Sequence, residues 1–114
     1  MYIVTGAAGL IGSSIVWGLN QRGIDDILIV DHLAESEKWK NLRALKYTDY
    51  VERDDFLDML YVDGFADDID GIIHMGACSA TTERDATYLI HNNFEYSKEL
   101  ALFATENEIK FIYA

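Results

Sequence analysis

The chain has 114 residues, half of them apolar, enough for one domain with a substantial core and hardly enough for two. Nine Lys and Arg against 20 Asp and Glu leave a formal charge of −11, which repels phosphate backbones and anionic lipid and speaks against a nucleic-acid or membrane-surface role. Cys78 is the only cysteine and proline is absent, so an internal disulfide, a cysteine-based zinc site and a proline-rich stalk are excluded, and a reducing, cytoplasmic setting is expected.

Tyr2-Ile3-Val4-Thr5 is a short apolar run that stops at Gly6, the pattern of a parallel strand covered on both faces. From Leu10 the period changes. Ile11, Ile15 and Leu19, with Val16 between them, mark a helix that stops near Gly23. The stretch Met1 to Gln21 is uncharged, but four glycines and several polar residues interrupt it and nothing basic precedes it, so neither a secretory signal nor a membrane span is expected. Ile27-Leu28-Ile29-Val30-Asp31 is a second buried strand. A polar loop follows, with a short helix expected near Trp39 to Leu45, then a weak third strand over Tyr47 to Val51. Asp54 or Asp55 is placed to cap a helix carrying Phe56, Leu57 and Leu60. The nine acids against one base between Asp49 and Asp70 read as a solvated outer face rather than a metal site. Gly71 to Met75 is a fourth strand, and Arg84 to about Asn107 the longest helix, with Leu89, Asn93, Tyr96, Leu100 and Phe103 along one stripe. Lys110 to Ala114 is a fifth strand. Strands alternating with helices predict an α/β fold: one Rossmann-type, doubly wound parallel sheet of order 3-2-1-4-5 spanning residues 1–114.

The chemistry is expected where the first strand meets the first helix, at Thr5-Gly6-Ala7-Ala8-Gly9-Leu10-Ile11-Gly12. Gly6 permits a tight turn, Gly9 lets the backbone approach a pyrophosphate, and Gly12 allows the helix to lie close on the sheet. The unpaired N–H groups of the helix start then face the phosphates of a dinucleotide. Asp31 ends the second strand nineteen residues after Gly12, where a carboxylate meets the adenosine ribose and favours NAD. Lys38, Lys40 and Arg43 follow it and could neutralise both the carboxylate and a 2′-phosphate, which leaves NAD against NADP open at this level. After the fourth strand, the small residues Gly76, Ala77 and Ser79 leave room beside the crevice, and Asn92 or Asn93 is expected to turn toward it. Cys78 lacks a basic neighbour and reads as a buried small residue, and His74, inside an apolar strand, as a satisfied core histidine.

The Thr-Gly-x-x-Gly-x-x-Gly start resembles that of the extended short-chain dehydrogenase/reductases, which include sugar-nucleotide epimerases and dehydratases. More narrowly, the whole chain is similar to the amino-terminal part of the ADP-L-glycero-D-manno-heptose 6-epimerase family. The segments Ile24 to Asp31, His74 to Glu83 and Asn92 to Leu100 carry this likeness, the Gly-Ala-Cys-Ser-x-Thr-Thr-Glu run from Gly76 most specifically. The resemblance implies an isomerase of lipopolysaccharide precursor synthesis that inverts C6 of a nucleotide-linked heptose by transient oxidation with NADP. It implies a homo-oligomer, and cofactor contacts at Leu10, Ile11, Asp31, His32, Lys38, Arg53, Met75, Gly76, Ala77, Cys78, Ser79 and Asn92, beside Gly6, Gly9 and Gly12 of the turn. His32 stands where the family has Asn, Arg53 where it has Lys, and Met75 where it has Glu. The first two still offer donors, whereas Met75 offers only backbone and packing. Lys38 beside Asp31 gains meaning as the partner of a 2′-phosphate, which tips the expectation from NAD to NADP.

The Tyr-x-x-x-Lys pair that performs proton chemistry in this superfamily is absent: no tyrosine here is followed four residues later by lysine. The chain is therefore expected to be a truncated NAD(P)-binding segment without the substrate-binding part, catalytically silent alone, with an exposed fifth-strand edge that favours self-association. The alternatives are another extended short-chain epimerase or dehydratase acting on UDP- or dTDP-sugars, and a non-catalytic NAD(P)-sensing module.

Overall fold

The structure, a computed structural model, describes residues 1–33, 37–75 and 86–113, with the backbone alone over 86–92. Five parallel strands form one sheet: β1 (Tyr2–Thr5), β2 (Ile27–Asp31), β3 (Asp49–Glu52), β4 (Gly71–His74) and β5 (Lys110–Tyr113), in the order β3-β2-β1-β4-β5. The expected order is borne out. Three helices connect them: α1 (Leu10–Gln21), α2 (Arg53–Met59) and α3 (Ala86–Glu106), with single 3-10 turns at Lys38–Leu42 and Phe65–Asp68.

Alternation along the strands sorts the core into two layers. Ile3, Leu28, Val30 and Ile72 point to one face, where Phe56 and Leu60 of the α2 region and Tyr96, Leu100 and Ala104 of α3 cover them. Val4, Ile27 and Ile29 point to the other, against Val16 of α1 and Leu42 of the first 3-10 turn. Helices thus lie on both faces, and the chain changes face between β1 and β4. At such a switch point the loops leaving the two strands diverge and open a crevice at the carboxyl end of the sheet. Register sets its floor: Thr5 lies opposite Val30 on one side and His74 on the other.

Several boundaries differ from those expected, the fourth strand's among them, which stops at His74 rather than Met75. The third strand begins at Asp49, because Thr48 spends its N–H on Ile27 O (2.9 Å) and its hydroxyl on Asp26 before the ladder with β2 starts. Neither Asp54 nor Asp55 caps α2. Its N-cap is Glu52, without a side-chain cap bond, and the two aspartates sit inside the first turn, where their charge complements the positive end of the helix dipole. The short helix after β2 is a 3-10 turn that ends at Leu42, whose burial anchors it. On α3, Phe94 is exposed although its position flanks the apolar stripe, while Tyr96, Leu100 and Ala104 are buried as expected. Helix α1 ends in a Schellman motif, Gly23 N–H to Asn20 O and Ile24 N–H to Leu19 O, with Gly23 at φ +79°.

Candidate functional site

The turn after β1 is built as its glycines require. Gly6 takes φ +65° and donates its N–H to Val30 O (2.8 Å), so the chain bends sharply over the end of β2. Gly9 N–H returns to Gly6 O (3.1 Å), and Ser13 N–H to Gly9 O is the first bond of α1. Helix geometry leaves the N–H groups of Leu10, Ile11 and Gly12 without an intrahelical acceptor, at the positive end of the dipole. The side chains of Leu10 and Ile11 are exposed beside them.

Gly9 and Gly12 are glycine for different reasons. A Cβ on Gly12 would stand 2.0 Å from Gly6 O and 2.9 Å from Ala7 Cα, so this glycine lets α1 press on the turn itself rather than, as expected, on the sheet. Gly9 has an extended backbone that any residue adopts, and a Cβ there would meet Gly6 O at an ordinary 3.4 Å. The fold places no demand on position 9. A bare backbone there keeps the outer side of the turn open for close approach of a ligand, which fits a diphosphate bridge received on the amides of Leu10 to Gly12.

Asp31, at the end of β2, organises the neighbouring wall. Its nearly buried carboxylate accepts from Ala8 N–H (2.9 Å) through Oδ2, and from its neighbour's His32 N–H (2.6 Å) and Lys38 Nζ (2.9 Å) through Oδ1. One carboxylate therefore joins the glycine turn, the strand end and the basic segment. Asn41 braces the same turn from the other side, donating to Ala8 O (2.7 Å). Arg43 lies over the Trp39 ring, 5.3 Å from its centroid, and Lys40, at 5.9 Å from the same ring, pairs with Glu37 (3.2 Å), whereas Lys38 meets Asp31.

Beyond Asp31, the exposed His32 ring lies 3.3 Å from Glu52 Oε2, and Tyr50 donates its hydroxyl to Glu52 Oε1 (2.7 Å). Burial, then the Glu52 carboxylate, raise the Tyr50 pKa and keep that phenol protonated. Arg53, the first residue of α2, lays its guanidinium 4.4 Å above the Tyr96 ring, and its Nε is buried without a hydrogen-bond partner among the described residues. An orphaned buried donor beside the crevice suits a ligand that brings an acceptor.

At the switch point, Met75 N–H donates to both Thr5 O (3.2 Å) and Thr5 Oγ1 (3.0 Å). Thr5 Oγ1 also lies 2.6 Å from His74 Nδ1, and His74 Nε2 lies 2.8 Å from Ser97 Oγ on α3. His74 is 2% exposed, and burial, with the nearby Arg53 charge, lowers its pKa to about 4, so it is neutral at pH 7. It is a satisfied core histidine, as its strand position predicts.

The structure thus gathers Gly6, Gly9, Leu10, Ile11, Gly12, Asp31, His32, Lys38, Arg53 and Met75 along the carboxyl end of the sheet. Gly76, Ala77, Cys78 and Ser79 lie outside the described residues, and Asn92 is placed on α3 by its backbone alone. Its neighbour Asn93 lines a cavity of about 400 Å³ with Ser97, Phe111 and Tyr113. Asn41, Tyr50 and Glu52 were missed as site-building residues, and Thr5 was read only as the start of the glycine motif. Only Thr5 carries a sequence signal, a hydroxyl at the end of an apolar strand before the glycine turn. Among the described residues no cluster of His, Cys, Asp or Glu is arranged to hold a metal ion, and no helix is long and apolar enough to cross a membrane.

Residues 2–114 match the NAD dependent epimerase/dehydratase family. Over all 114 residues the chain is 55% identical to the ADP-L-glycero-D-manno-heptose-6-epimerase of Nitratidesulfovibrio vulgaris, and it spans about a third (35%) of the length of that curated relative. Among solved structures, the UDP-glucose 4-epimerase of Thermotoga maritima, crystallised with UDP-glucose, superposes with a TM-score of 0.73 at 26% identity, over 98% of this chain and 36% of that one. The Bordetella bronchiseptica enzyme WbmG, in complex with NAD and UDP, gives 0.72 at 20% identity over 98% and 36%, a likeness of fold.

Proposed function

The chain belongs to the NAD dependent epimerase/dehydratase family, and from that premise we propose that residues 1–114 are the dinucleotide-binding part of a cytoplasmic, homo-oligomeric nucleotide-sugar epimerase that inverts C6 of ADP-glycero-manno-heptose for lipopolysaccharide precursor synthesis. The substrate class rests on the 55% identity to a heptose epimerase along the whole chain. The observation that carries the binding role is the wiring of the glycine turn to Asp31: Ala8 N–H fixes the turn on the carboxylate, and the amides of Leu10, Ile11 and Gly12 are left to receive a diphosphate. Gly6, Gly9 and Gly12 shape that turn. Asp31, His32, Lys38 and Arg53 line the adenosine end, and Met75 with Gly76, Ala77, Cys78, Ser79 and Asn92 belongs to the nicotinamide side.

NADP is the favoured cofactor. A lone Asp31 carboxylate would repel a 2′-phosphate, but Lys38 neutralises it at 2.9 Å. A bound nicotinamide ring supplies a reversible hydride acceptor. This chain's residues hold and orient it, and the proton chemistry needs a tyrosine–lysine pair that these 114 residues do not contain. The purified chain is accordingly expected to bind the cofactor and show no turnover.

Calorimetric titration of NADP+ and NAD+ into the chain, with Lys38→Ala as comparison, tests the assignment. NADP+ is expected to bind more tightly, and the substitution to remove most of that preference. Equal affinities unchanged by Lys38→Ala would reject NADP, and failure of both dinucleotides to bind would reject the binding role.

A further inference from the structure

His74 is a buried titratable group at the centre of the crevice floor for which the proposed chemistry has no use. It stands at the end of β4, beside the end of β1, and packs under α3. Thr5 Oγ1 accepts the Met75 N–H, so its single proton is directed at His74 Nδ1, the one remaining acceptor it meets among the described residues. That assigns the imidazole as the Nε2–H tautomer, which donates to Ser97 Oγ. The ring is further held by Tyr96 (centroids 5.2 Å) and Phe111 (6.0 Å). Three segments that face the crevice are thereby joined through one side chain: the residue that starts the glycine turn, the exit of β4 at Met75, and the stretch of α3 five residues beyond Asn92.

We infer that His74 is a positioning residue, which through its bonds to Thr5 and Ser97 holds the exit of β4 and helix α3 at a fixed spacing from the glycine turn and so sets the opening into which the dinucleotide fits. The inference rests on the binding role proposed above. An apolar residue of similar volume would fill the site equally well and stack on the same rings, so packing alone does not account for an imidazole here. Its two nitrogens are what match a hydroxyl donor on one side and a hydroxyl acceptor on the other.

The test uses the 114-residue chain and NADP+ titration, with thermal unfolding followed in parallel. His74→Phe keeps volume and ring stacking but leaves Thr5 unpartnered. His74→Asn returns an acceptor near the Nδ1 position, and Ser97→Ala removes only the partly buried partner on α3. His74→Phe is expected to weaken binding about tenfold or more, Ser97→Ala about threefold, and His74→Asn to recover a large part of the loss. Nitrogen-detected NMR of the unmodified chain is expected to show a neutral ring protonated at Nε2, a readout that needs neither ligand nor variant. Full affinity in His74→Phe, a loss in His74→Asn that equals that of His74→Phe and tracks the fall in melting temperature, or the opposite tautomer would each overturn the inference. An unmodified chain that binds no dinucleotide would instead bring down the binding role on which it rests.

Discussion

Lys38 and Asp31 form an ion pair, 2.9 Å from Nζ to Oδ1, and the same carboxylate accepts the Ala8 N–H of the glycine turn through its other oxygen. The pair is therefore part of the turn's own support as well as of the adenosine wall. Asp31→Ala leaves an amide, an ammonium and the turn without their shared acceptor. Its loss is expected to lower stability by about 1.5–3 kcal/mol, the range for hydrogen bonds to a charged group, measured as a shift in urea midpoint at unchanged slope.

Two glycines three residues apart, Gly9 and Gly12, give opposite expectations. Gly12→Ala drives a methyl group into Gly6 O, where the ideal position is 2.0 Å away, and backbone rather than a flexible side chain must move. A loss of about 1–3 kcal/mol or more is expected. Gly9→Ala meets only ordinary contact at 3.4 Å and is expected to melt within a degree or two of the unmodified chain while dinucleotide binding falls at least tenfold. A Gly9→Ala chain that binds normally would show that no ligand approaches this side of the turn.

His74 ties stability to pH. Its pKa falls from 6.5 in the unfolded chain to about 4 in the fold, so the unfolded state binds the proton more readily between those values. The stabilisation from holding the ring neutral is fully present above about pH 6.5 and is lost as pH drops toward 4, on the order of 3 kcal/mol in all. Denaturant unfolding at a series of pH values, compared with His74→Phe, isolates this contribution from that of the carboxylates. Parallel curves for the two proteins would contradict it.

The sheet's β5 edge predicts association. Ile112 is 54% and Tyr113 67% exposed on a strand whose outer hydrogen-bonding side meets no partner strand among the described residues, and Phe94 and Leu102 of α3 are exposed as well. Sedimentation at rising concentration is expected to show self-association, and Ile112→Lys to shift it toward monomer, because a charge on an edge disfavours strand addition.

The sheet order and the glycine turn were readable because both are local. Ile27 to Val30 is a run buried on both faces, and Gly6, Gly9 and Gly12 follow β1 at the spacing of a phosphate-binding turn that leads into a helix. The third strand was misplaced by two residues because it is an edge, with none of its residues buried, so its pattern carries little weight. Asn41 to Ala8 spans 33 residues and Thr5 to His74 spans 69, and neither pairing has a spacing that sequence can expose. Lys38, Lys40 and Arg43 looked equivalent in sequence. Their neighbours separate them: Arg43 lies over Trp39, Lys40 pairs with Glu37 beside the same ring, and Lys38 goes to Asp31.

That indole is 46% exposed, adjoins the lysine assigned to the 2′-phosphate, and sits under two cations whose placement perturbs its excited state. With Trp17→Phe removing the only other tryptophan, the emission of Trp39 becomes a built-in optical gauge of the adenosine end: a phosphate drawing Lys38 from Asp31 disturbs the segment that carries the fluorophore.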